Sequence, residues 1–284
     1  MAVTRIGKVQ ILETLGAGAN SSILRVRRAD DGIEYALKII TLEDEDDKKY
    51  LDQAKHEFRV SEMLQHPNLI KVLALETESD WRFRVKKAKL LIEYVPGKTL
   101  DKVKTVAIPK LLRIFEQVAA GVSHMHARGV FHADLKPNNV MLGKTGVVKV
   151  IDYGLAWIKG EPKDRVQGTP EYMAPETMTH KLINERTDIY NFGATMYRLA
   201  TLQLPPKVTP QIEGVEMDEG TFQKALKPVR DCNKGCPPEV EAIIHKCLSF
   251  SALKRPERMS EVQGELDKLC DKYAADTDLA GFVE

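Results

Sequence analysis

The period of the hydrophobic pattern changes at Pro96-Gly97. Before that point, apolar residues come in short or alternating runs separated by glycine and charged turns, a pattern typical of β-strands. These runs are KVQILETL (8–15), SSILRVRR (21–28), EYALKII (34–40), IKVLALET (70–77) and KLLIEYV (89–95). Helical spacing follows in LLRIFEQVAAGVSHMHARG (111–129), TDIYNFGATMYRLAT (187–201), PPEVEAIIHKCLS (237–249) and MSEVQGELDKLCDKYAA (259–275). The pattern predicts an α+β chain in which an antiparallel sheet precedes a larger, mostly helical part.

One main helix is predicted within the sheet-rich part, over residues 50–64. Leu51, Ala54 and Phe58 recur near helical spacing, and the segment HPN at 66–68 ends the pattern. A chain of 284 residues is long enough for two lobes that share a cleft. We therefore expect one domain over 1–284, with an N-terminal lobe at 1–95, a C-terminal lobe at 96–284 and a hinge at about 93–97.

The composition excludes a polyelectrolyte role. Lysine and arginine number 42 against 41 aspartate and glutamate residues, so the formal net charge is +1 and no nucleic-acid partner is predicted. The four cysteines lack the paired spacing of metal ligands, which favours reduced thiols in a cytosolic protein. The N-terminus has no apolar signal region, and no stretch approaches the roughly 18 apolar residues that cross a bilayer. We expect a cytoplasmic protein with no membrane insertion in this segment.

A glycine-containing turn, GAGANS at 16–21, lies between the first two predicted strands. Glycine lets backbone N–H groups approach phosphate oxygens because no Cβ stands in the way. Most such turns are ordinary hairpins, so this signal is weak alone. Ser21 occupies the place of the third glycine in G-x-G-x-x-G, and the strand-like residues after it disfavour a strand-to-helix dinucleotide loop.

The segment HADLKPNN (132–139) carries an aspartate, a lysine and an asparagine at short offsets, and DYG follows at 152–154. Both resemble motifs of the protein kinase superfamily, in its eukaryotic-like (Hanks-type) serine/threonine class. The resemblance implies Asp134 as catalytic base, Lys136 as a contact to the γ-phosphate, and Asn139 with Asp152 as Mg²⁺ ligands. Tyr153 replaces the family's phenylalanine. Carboxylate and amide oxygens suit Mg²⁺, which is a hard cation.

The same resemblance assigns a role to Lys38, at the end of the third predicted strand, and to Glu57 on the following helix. In the family such a lysine meets the α- and β-phosphates while the carboxylate fixes its position. A solvated charge is the commoner alternative for either residue taken alone. The pairing therefore depends on Asp134, Asn139 and Asp152 being present as well.

Later segments extend the resemblance over nearly the whole chain in the family's order. GTPEYMAPE (168–176) resembles the substrate-facing loop and the A-P-E motif. DIYNFG (188–193) resembles the start of the buried central helix, where Asp188 would hold the catalytic-loop backbone. Arg255 matches the arginine that pairs with Glu176 in family members.

The resemblance also implies a set of nucleotide contacts. Four apolar residues would sandwich the adenine, one residue would act as gatekeeper, and two would offer backbone hydrogen bonds to the adenine edge. Thr99 stands where many members have an acidic residue that contacts the ribose. In chain order, the implied nucleotide contacts are Leu15, Gly16, Gly18, Ser21, Ile23, Ala36, Lys38, Ile92, Glu93, Val95 and Leu142.

The resemblance implies a protein serine/threonine kinase that uses ATP and Mg²⁺ and acts on Ser or Thr of a protein substrate; the oligomeric state is left open. A pseudokinase is the first alternative, because Ser21, Ala133 and Tyr153 depart from the family pattern, although none of them is a metal ligand or base. A small-molecule kinase of the aminoglycoside phosphotransferase kind is disfavoured by GTPEYMAPE, and tyrosine specificity by DLKP at 134–137.

The sequence further predicts that activity does not require phosphorylation of the activation loop. Many kinases have an arginine before the catalytic aspartate that binds a phosphorylated loop residue, and here that position is Ala133. Thr169 is the only Ser or Thr between Asp152 and Glu176. We expect other contacts to order the loop, such as Arg165 with a carboxylate, or phosphorylation elsewhere as the alternative.

Three other patterns have simpler interpretations. His124 and His126 are two apart on a predicted helix, so they point to different sides and do not chelate a metal together. The acidic run EDEDD (43–47) is interpreted as a solvated loop. The basic segment RFRVKKAK (82–89) is interpreted as a charge-protected sheet edge, with docking of an acidic partner as the alternative.

Overall fold

The computed structural model describes residues 5–18, 20–103, 106–162, 167–208 and 217–282. The chain divides into two compact units. The first comprises Met1–Gln65, Leu69–Pro96 and Asp152–Gly154, and the second comprises His66–Asn68, Gly97–Ile151 and Leu155–Glu284. Within the described residues, no helix is both long and apolar enough to cross a membrane.

The first unit is built on an antiparallel sheet. Its strands are β1 (Val9–Ala17), β2 (Ser21–Arg28), β3 (Glu34–Thr41), β4 (Val72–Ser79) and β5 (Val85–Glu93). They pair in the order β1-β2-β3-β5-β4. Each predicted strand is present, which confirms this part of the fold class. β5 begins before the predicted Lys89, because its pairing with β4 continues as far as Val85 and Ser79.

The helix α1 (Lys48–Met63) packs on this sheet and corresponds to the helix predicted at 50–64. Leu51 and Ala54 of α1 share one hydrophobic cluster with Ile40 of β3. Side chains of a strand alternate between its two faces, so Lys38, two residues before Ile40, is on the helix-covered face. The alternation of side chains along β3 and the packing of α1 on one face of the sheet therefore place Lys38 on the side of the sheet that α1 covers.

The second unit is mostly helical, as predicted. Its helices are α2 (Ile108–His126), α3 (Pro175–His180), α4 (Glu185–Thr201), α5 (Glu219–Ala225), α6 (Val229–Cys232), α7 (Pro238–Cys247) and α8 (Met259–Tyr273). Short strands accompany them: β6 (Gly97–Thr99), β7 (Val130–Phe131), β8 (Val140–Gly143), β9 (Val148–Val150) and β10 (Trp157–Ile158). β6, β8 and β9 form one sheet, and β7 pairs with β10.

The predicted helical segments of this unit correspond to α2, α4, α7 and α8. The shorter helices and the strands were not predicted, because elements of two to seven residues are too short for a period to be recognised. Phe115 of α2 and Phe192 of α4 are fully buried. Their rings meet edge to face with centroids 5.0 Å apart, so α2 and α4 pack together in the core of this unit.

Candidate active site

Lys38 and Glu57 form an ion pair within the first unit. Lys38 Nζ lies 2.7 Å from Glu57 Oε2. Glu57 belongs to the buried stripe of α1, together with Leu51, Ala54 and Val60, and this position turns its carboxylate toward the sheet. The structure thus brings together two residues that the sequence predicted to pair.

Burial and charge oppose each other in this pair. Burial by itself lowers the pKa of the Lys38 ammonium, but the carboxylates of Glu57 and Asp152 outweigh it and the pKa is raised. Burial also raises the pKa of Glu57, against the effect of the Lys38 ammonium. Because desolvation offsets much of the attraction in a buried ion pair, the pair is better explained by positioning of the lysine than by stability.

A cavity of about 400 Å³ adjoins the ion pair within the first unit. Ser21, Ile23 and Lys38 line it, which are predicted nucleotide contacts, and so does Asp152, a predicted metal ligand. Lining residues that the sequence did not single out for the site are Asn20, Ile40, Tyr50, Gln53 and Ala54. The cavity therefore combines an ammonium, carboxylates and apolar side chains.

The segment Asp152-Tyr153-Gly154 has a constrained backbone. Asp152 has a φ of 66°, which is uncommon for a residue other than glycine, and its Oδ1 accepts the Gly154 N–H at 3.1 Å. The buried Tyr153 hydroxyl donates to Ile70 O at 2.9 Å, so the phenol that replaces phenylalanine has a partner. A Cβ on Gly154 would lie 2.5 Å from Gln53 Nε2, so a larger residue there would require the Gln53 side chain to move.

The other predicted nucleotide contacts of this unit lie along the sheet. Gly18 donates its N–H to Ser21 O at 2.7 Å in the turn after β1, and Ala19 lies outside the described residues. Ala36 on β3 is the register partner of Ile92 on β5. The remaining positions are Leu15 and Gly16 on β1, Glu93 at the end of β5 and Val95 two residues later.

In the second unit, the Asp134 carboxylate meets a hydroxyl, an ammonium and an amide. Its Oδ1 accepts hydrogen bonds from the N–H and the hydroxyl of Thr169, both at 3.0 Å. Its Oδ2 lies 2.7 Å from Lys136 Nζ and 3.1 Å from Asn139 Nδ2. Lys136 also donates to Thr169 Oγ1 at 2.6 Å. A hydroxyl is thus held between a carboxylate and a cation.

Asn139 is oriented by the same loop. Its Nδ2 also donates to the backbone oxygen of Asp134 at 2.8 Å, so its amide oxygen is the atom that this side chain offers to a metal. Leu142, a predicted adenine contact, is fully buried in β8. Asn139 belongs to the second unit and Asp152 to the first. The described residues contain no group of three or more His, Cys, Asp or Glu side chains arranged for a metal.

Asp188 of α4 anchors the backbone before Asp134, as predicted. Its carboxylate accepts the N–H of His132 at 2.7 Å and that of Ala133 at 2.8 Å, and His126 Nε2 lies 2.8 Å from it. These bonds hold Ala133 at a φ of 64°, a strained conformation for alanine. Burial raises the pKa of Asp188, but its hydrogen bond with His126, the nearby histidines and the Ala133 N–H outweigh burial, and the pKa is lowered.

Arg255 and Glu176 form the predicted pair, and its geometry is bidentate. The two N–O distances are 2.7 and 2.9 Å, and the Arg255 side chain is fully buried. Arg255 also donates to the carbonyl oxygens of Arg186, Ser249 and Phe250. A planar guanidinium can satisfy all of these acceptors at once, which a lysine cannot.

The acidic segment at 43–47 differs from the predicted solvated loop. Asp47 is buried, and its Oδ1 accepts from Asn20 Nδ2 at 2.8 Å while its Oδ2 accepts the Glu43 N–H at 2.9 Å. The contact links the turn after β1 to the start of α1. No local pattern distinguishes Asp47 from its acidic neighbours, because Asn20 is 27 residues away.

A larger cavity, of about 940 Å³, lies in the second unit. Its lining includes His126, Phe131, Trp157 and Arg186, but none of the predicted catalytic, nucleotide-binding or metal residues. The chemistry of the candidate site therefore rests on the Asp134 loop and on the Lys38 cavity.

Comparison with known sequences agrees with this chemistry. The chain matches the protein kinase domain family over residues 9–265 and belongs to that family. A probable serine/threonine-protein kinase of Clostridium acetobutylicum is 25% identical, over 95% of this chain and 41% of the relative. The serine/threonine-protein kinase PrkC of Bacillus subtilis is 25% identical, over 93% of this chain and 41% of the relative. CBL-interacting serine/threonine-protein kinase 8 of Arabidopsis thaliana is 31% identical, over 72% of this chain and 46% of the relative. The chain spans less than half of each of these relatives.

Proposed function

We propose that this chain is a serine/threonine kinase that transfers the γ-phosphoryl group of ATP to hydroxyls of protein substrates. The observation that carries the proposal is the hydroxyl of Thr169, which donates to Asp134 and accepts from Lys136. A substrate hydroxyl needs the same contacts, since a carboxylate orients it and accepts its proton while a cation offsets negative charge. The names of the relatives support Ser and Thr as the acceptors.

The residues present fit ATP and Mg²⁺. When bound, ATP supplies the phosphoryl group and Mg²⁺ offsets its negative charge. Asp152 and Asn139 would hold Mg²⁺ through oxygen atoms, the donors that this ion prefers. Lys38, kept in place by Glu57, would bind the α- and β-phosphates beside the cavity that both residues line.

The Asp134→Asn variant tests the proposed function. Loss of the carboxylate should lower the rate of phosphotransfer to Ser/Thr peptides by about 10²- to 10⁴-fold, while the circular dichroism spectrum stays unchanged. Asp276→Asn, at an exposed position outside the site, is the matched control and should keep the wild-type rate. Phosphosites mapped by mass spectrometry should be Ser and Thr. Exclusive tyrosine phosphorylation, or full activity of Asp134→Asn, would contradict the proposal.

The proposed enzyme does not need phosphorylation of the loop between Asp152 and Glu176. Thr169 is the only Ser or Thr in that stretch of the sequence. Its hydroxyl donates a hydrogen bond to Asp134 and accepts one from Lys136. Many kinases have an arginine immediately before the catalytic aspartate, and here that residue is Ala133. Its backbone N–H donates a hydrogen bond to Asp188, which orders this position without a phosphate. Arg165, proposed from the sequence as an ordering contact, lies outside the described residues.

Initial rates of dephosphorylated protein test this independence. We expect phosphotransfer to a peptide to start without a lag once intact mass shows that no phosphate remains, because no loop residue has to be modified first. Tyr172→Phe should behave like wild type and is the control for modification at the nearby tyrosine. A lag that pre-incubation with ATP removes, together with a phosphosite in the loop, would refute the claim.

The cysteines support a reducing compartment. All four are free, with Cys232 half-buried and Cys236, Cys247 and Cys270 buried. Burial raises the pKa of Cys236 to about 11 and those of Cys247 and Cys270 to about 12. Thiolates of these three residues are therefore scarce at neutral pH, and a cytoplasmic location is part of the proposal.

A further inference from the structure

The turn between β4 and β5 carries two exposed aromatic rings next to basic side chains. Trp81 is 80% exposed and Phe83 is 92% exposed. Arg82 and Arg84 alternate with them and are also exposed, and the Arg82 guanidinium lies 4.3 Å from the centre of the Trp81 ring. We call residues 80–84 the hairpin tip. The candidate active site uses none of its residues.

Hydrogen bonds within the hairpin tip make it a preformed structure. Asp80 Oδ1 accepts the backbone N–H of Arg82 at 2.8 Å and that of Arg84 at 3.0 Å. The Phe83 N–H donates to Asp80 O at 3.0 Å, and the Asp80 N–H donates to Arg84 O at 2.9 Å. Little ordering entropy is lost when a preformed turn presents its rings to a partner.

Folding of the hairpin does not explain Phe83. Its φ of 59° lies in the left-handed region, where glycine or asparagine is the low-strain choice and a bulky side chain is an outlier. The ring also gains little from burial, because almost all of it faces water. A strained backbone and an unburied aromatic ring at one position indicate a function outside the folded unit.

Two arginines of the hairpin tip place positive charge next to its aromatic rings. Farther along β5, Lys87 is the register partner of Glu78 on β4, and Lys89 forms an ion pair with the same glutamate. Arg84 is three residues closer to the tip than Lys87, or about 10 Å along a strand. Among the described residues, no carboxylate forms an ion pair with Arg82 or Arg84.

We propose that the hairpin tip binds the surface of an anionic lipid bilayer. Trp81 and Phe83 enter the boundary between headgroups and acyl chains, where aromatic rings are favoured, and the two arginines contact lipid phosphates. The tip is a convex turn, and a bilayer accepts protruding rings without a shaped pocket, which a protein partner would have to supply. The contact is peripheral and does not depend on the proposed phosphotransfer.

Vesicle sedimentation of the 284-residue chain tests the proposal, with vesicles of phosphatidylcholine alone or mixed with phosphatidylserine. Wild type should sediment only with the mixed vesicles, and less so at high salt. Trp81→Ala and Phe83→Ala should each lower the partition coefficient by roughly tenfold. Arg84→Glu should lower it by about fivefold or more.

Two controls match these variants. Leu253→Ala removes an apolar side chain that is also 80% exposed, and Lys234→Glu reverses a charge on a side chain that is 83% exposed. Both should bind vesicles as wild type does. All of these variants should phosphorylate a soluble peptide at the wild-type rate, so failure of lipid binding and failure of the kinase proposal are distinguishable.

Fluorescence gives an independent measurement, because Trp81 and Trp157 are the two tryptophans of the chain. Bromine-labelled phosphatidylcholine in the mixed vesicles should quench wild-type emission and should quench Trp81→Ala less. Equal binding by wild type, Trp81→Ala and Phe83→Ala would overturn the proposal. So would equal loss of binding in Lys234→Glu and Arg84→Glu, or a self-association without vesicles that Trp81→Ala abolishes.

Discussion

Three buried charged residues of this chain each have polar or charged partners that compensate the charge. Glu57 meets Lys38, Asp188 meets two backbone N–H groups and a histidine, and Arg255 meets Glu176. Removing one partner of such a group leaves an uncompensated charge, which costs more than the pair contributes. The three groups therefore mark positions at which a substitution is expected to have a large effect.

We predict that Lys38→Met lowers kcat of phosphotransfer by about 10²-fold or more at saturating ATP, with a smaller effect on nucleotide binding. The lysine would orient phosphates that other groups also hold. Glu57→Gln should have a milder effect, because Lys38 stays charged but loses its anchor. Steady-state rates measure both effects.

The matched control is Lys246→Met. Lys246 forms an exposed pair with Glu265 at 3.0 Å, so its loss should leave kcat unchanged. Wild-type kcat in both Lys38→Met and Glu57→Gln would mean that the buried pair has no role in the reaction.

Helix α4 illustrates how a single element positions a residue of another segment. Its start is determined by a capping box, in which the Asn184 side chain accepts the Thr187 N–H and the Thr187 hydroxyl accepts the Asn184 N–H. Asp188 comes next, in the first turn of the helix. The cap therefore directs the Asp188 carboxylate to the backbone N–H groups of His132 and Ala133, the two residues that precede the proposed catalytic base.

We predict that Asp188→Asn lowers the free energy of unfolding at neutral pH by about 3 kcal/mol or more. The folded-state pKa of Asp188 is lowered from its ordinary value of 3.8, so its stabilisation is complete above that pH. The stabilisation is lost as the pH falls from 3.8 through the folded-state pKa. Asp188→Asn should therefore have a shallower loss of stability in acid than wild type.

Urea denaturation at a series of pH values measures this difference. Asp276→Asn, at an exposed position, should follow the wild-type curve. Parallel acid limbs for wild type and Asp188→Asn would show that this carboxylate does not contribute to the pH dependence.

On the scale of the whole molecule, some of the predicted site residues belong to the first unit and the others to the second. Lys38, Glu57 and Asp152 belong to the first unit, and Asp134 and Asn139 belong to the second. Asp152 is separated in sequence from the rest of its unit, since the segment at 152–154 joins residues from the first hundred. A metal ion bound by Asp152 is therefore expected to stabilise the first unit, although Asp152 is distant in sequence from the rest of that unit.

We predict that Mg²⁺ with ATP raises the melting temperature of the wild-type chain more than ATP alone. A ligand at one hundred times its Kd stabilises the folded state by about 2.7 kcal/mol. In Asp152→Ala the part of the shift that depends on Mg²⁺ should vanish, because a metal ligand is gone. Asp276→Asn should keep the full shift, and an unchanged Mg²⁺ effect in Asp152→Ala would exclude Asp152 as a ligand.

Local patterns of the sequence determined the order and type of the longer elements. The strand period located β1 to β5, and the helical period located α1, α2, α4, α7 and α8, because hydrophobic spacing follows directly from which face is buried. The resemblance to the kinase family, carried by short motifs, also led to Asp134 and to the pairs Lys38–Glu57 and Arg255–Glu176.

Tertiary structure alone decided which distant residues complete these motifs. The contacts of Asp47 with Asn20, of Thr169 with Asp134 and of Tyr153 with Ile70 join residues 27, 35 and 83 positions apart. The exposure of Trp81 and Phe83 likewise depends on where the β4–β5 turn lies in the folded unit. A hydrophobic period reports only how a segment meets its own neighbourhood, whereas a polar contact across the chain depends on the packing of every element between its two partners.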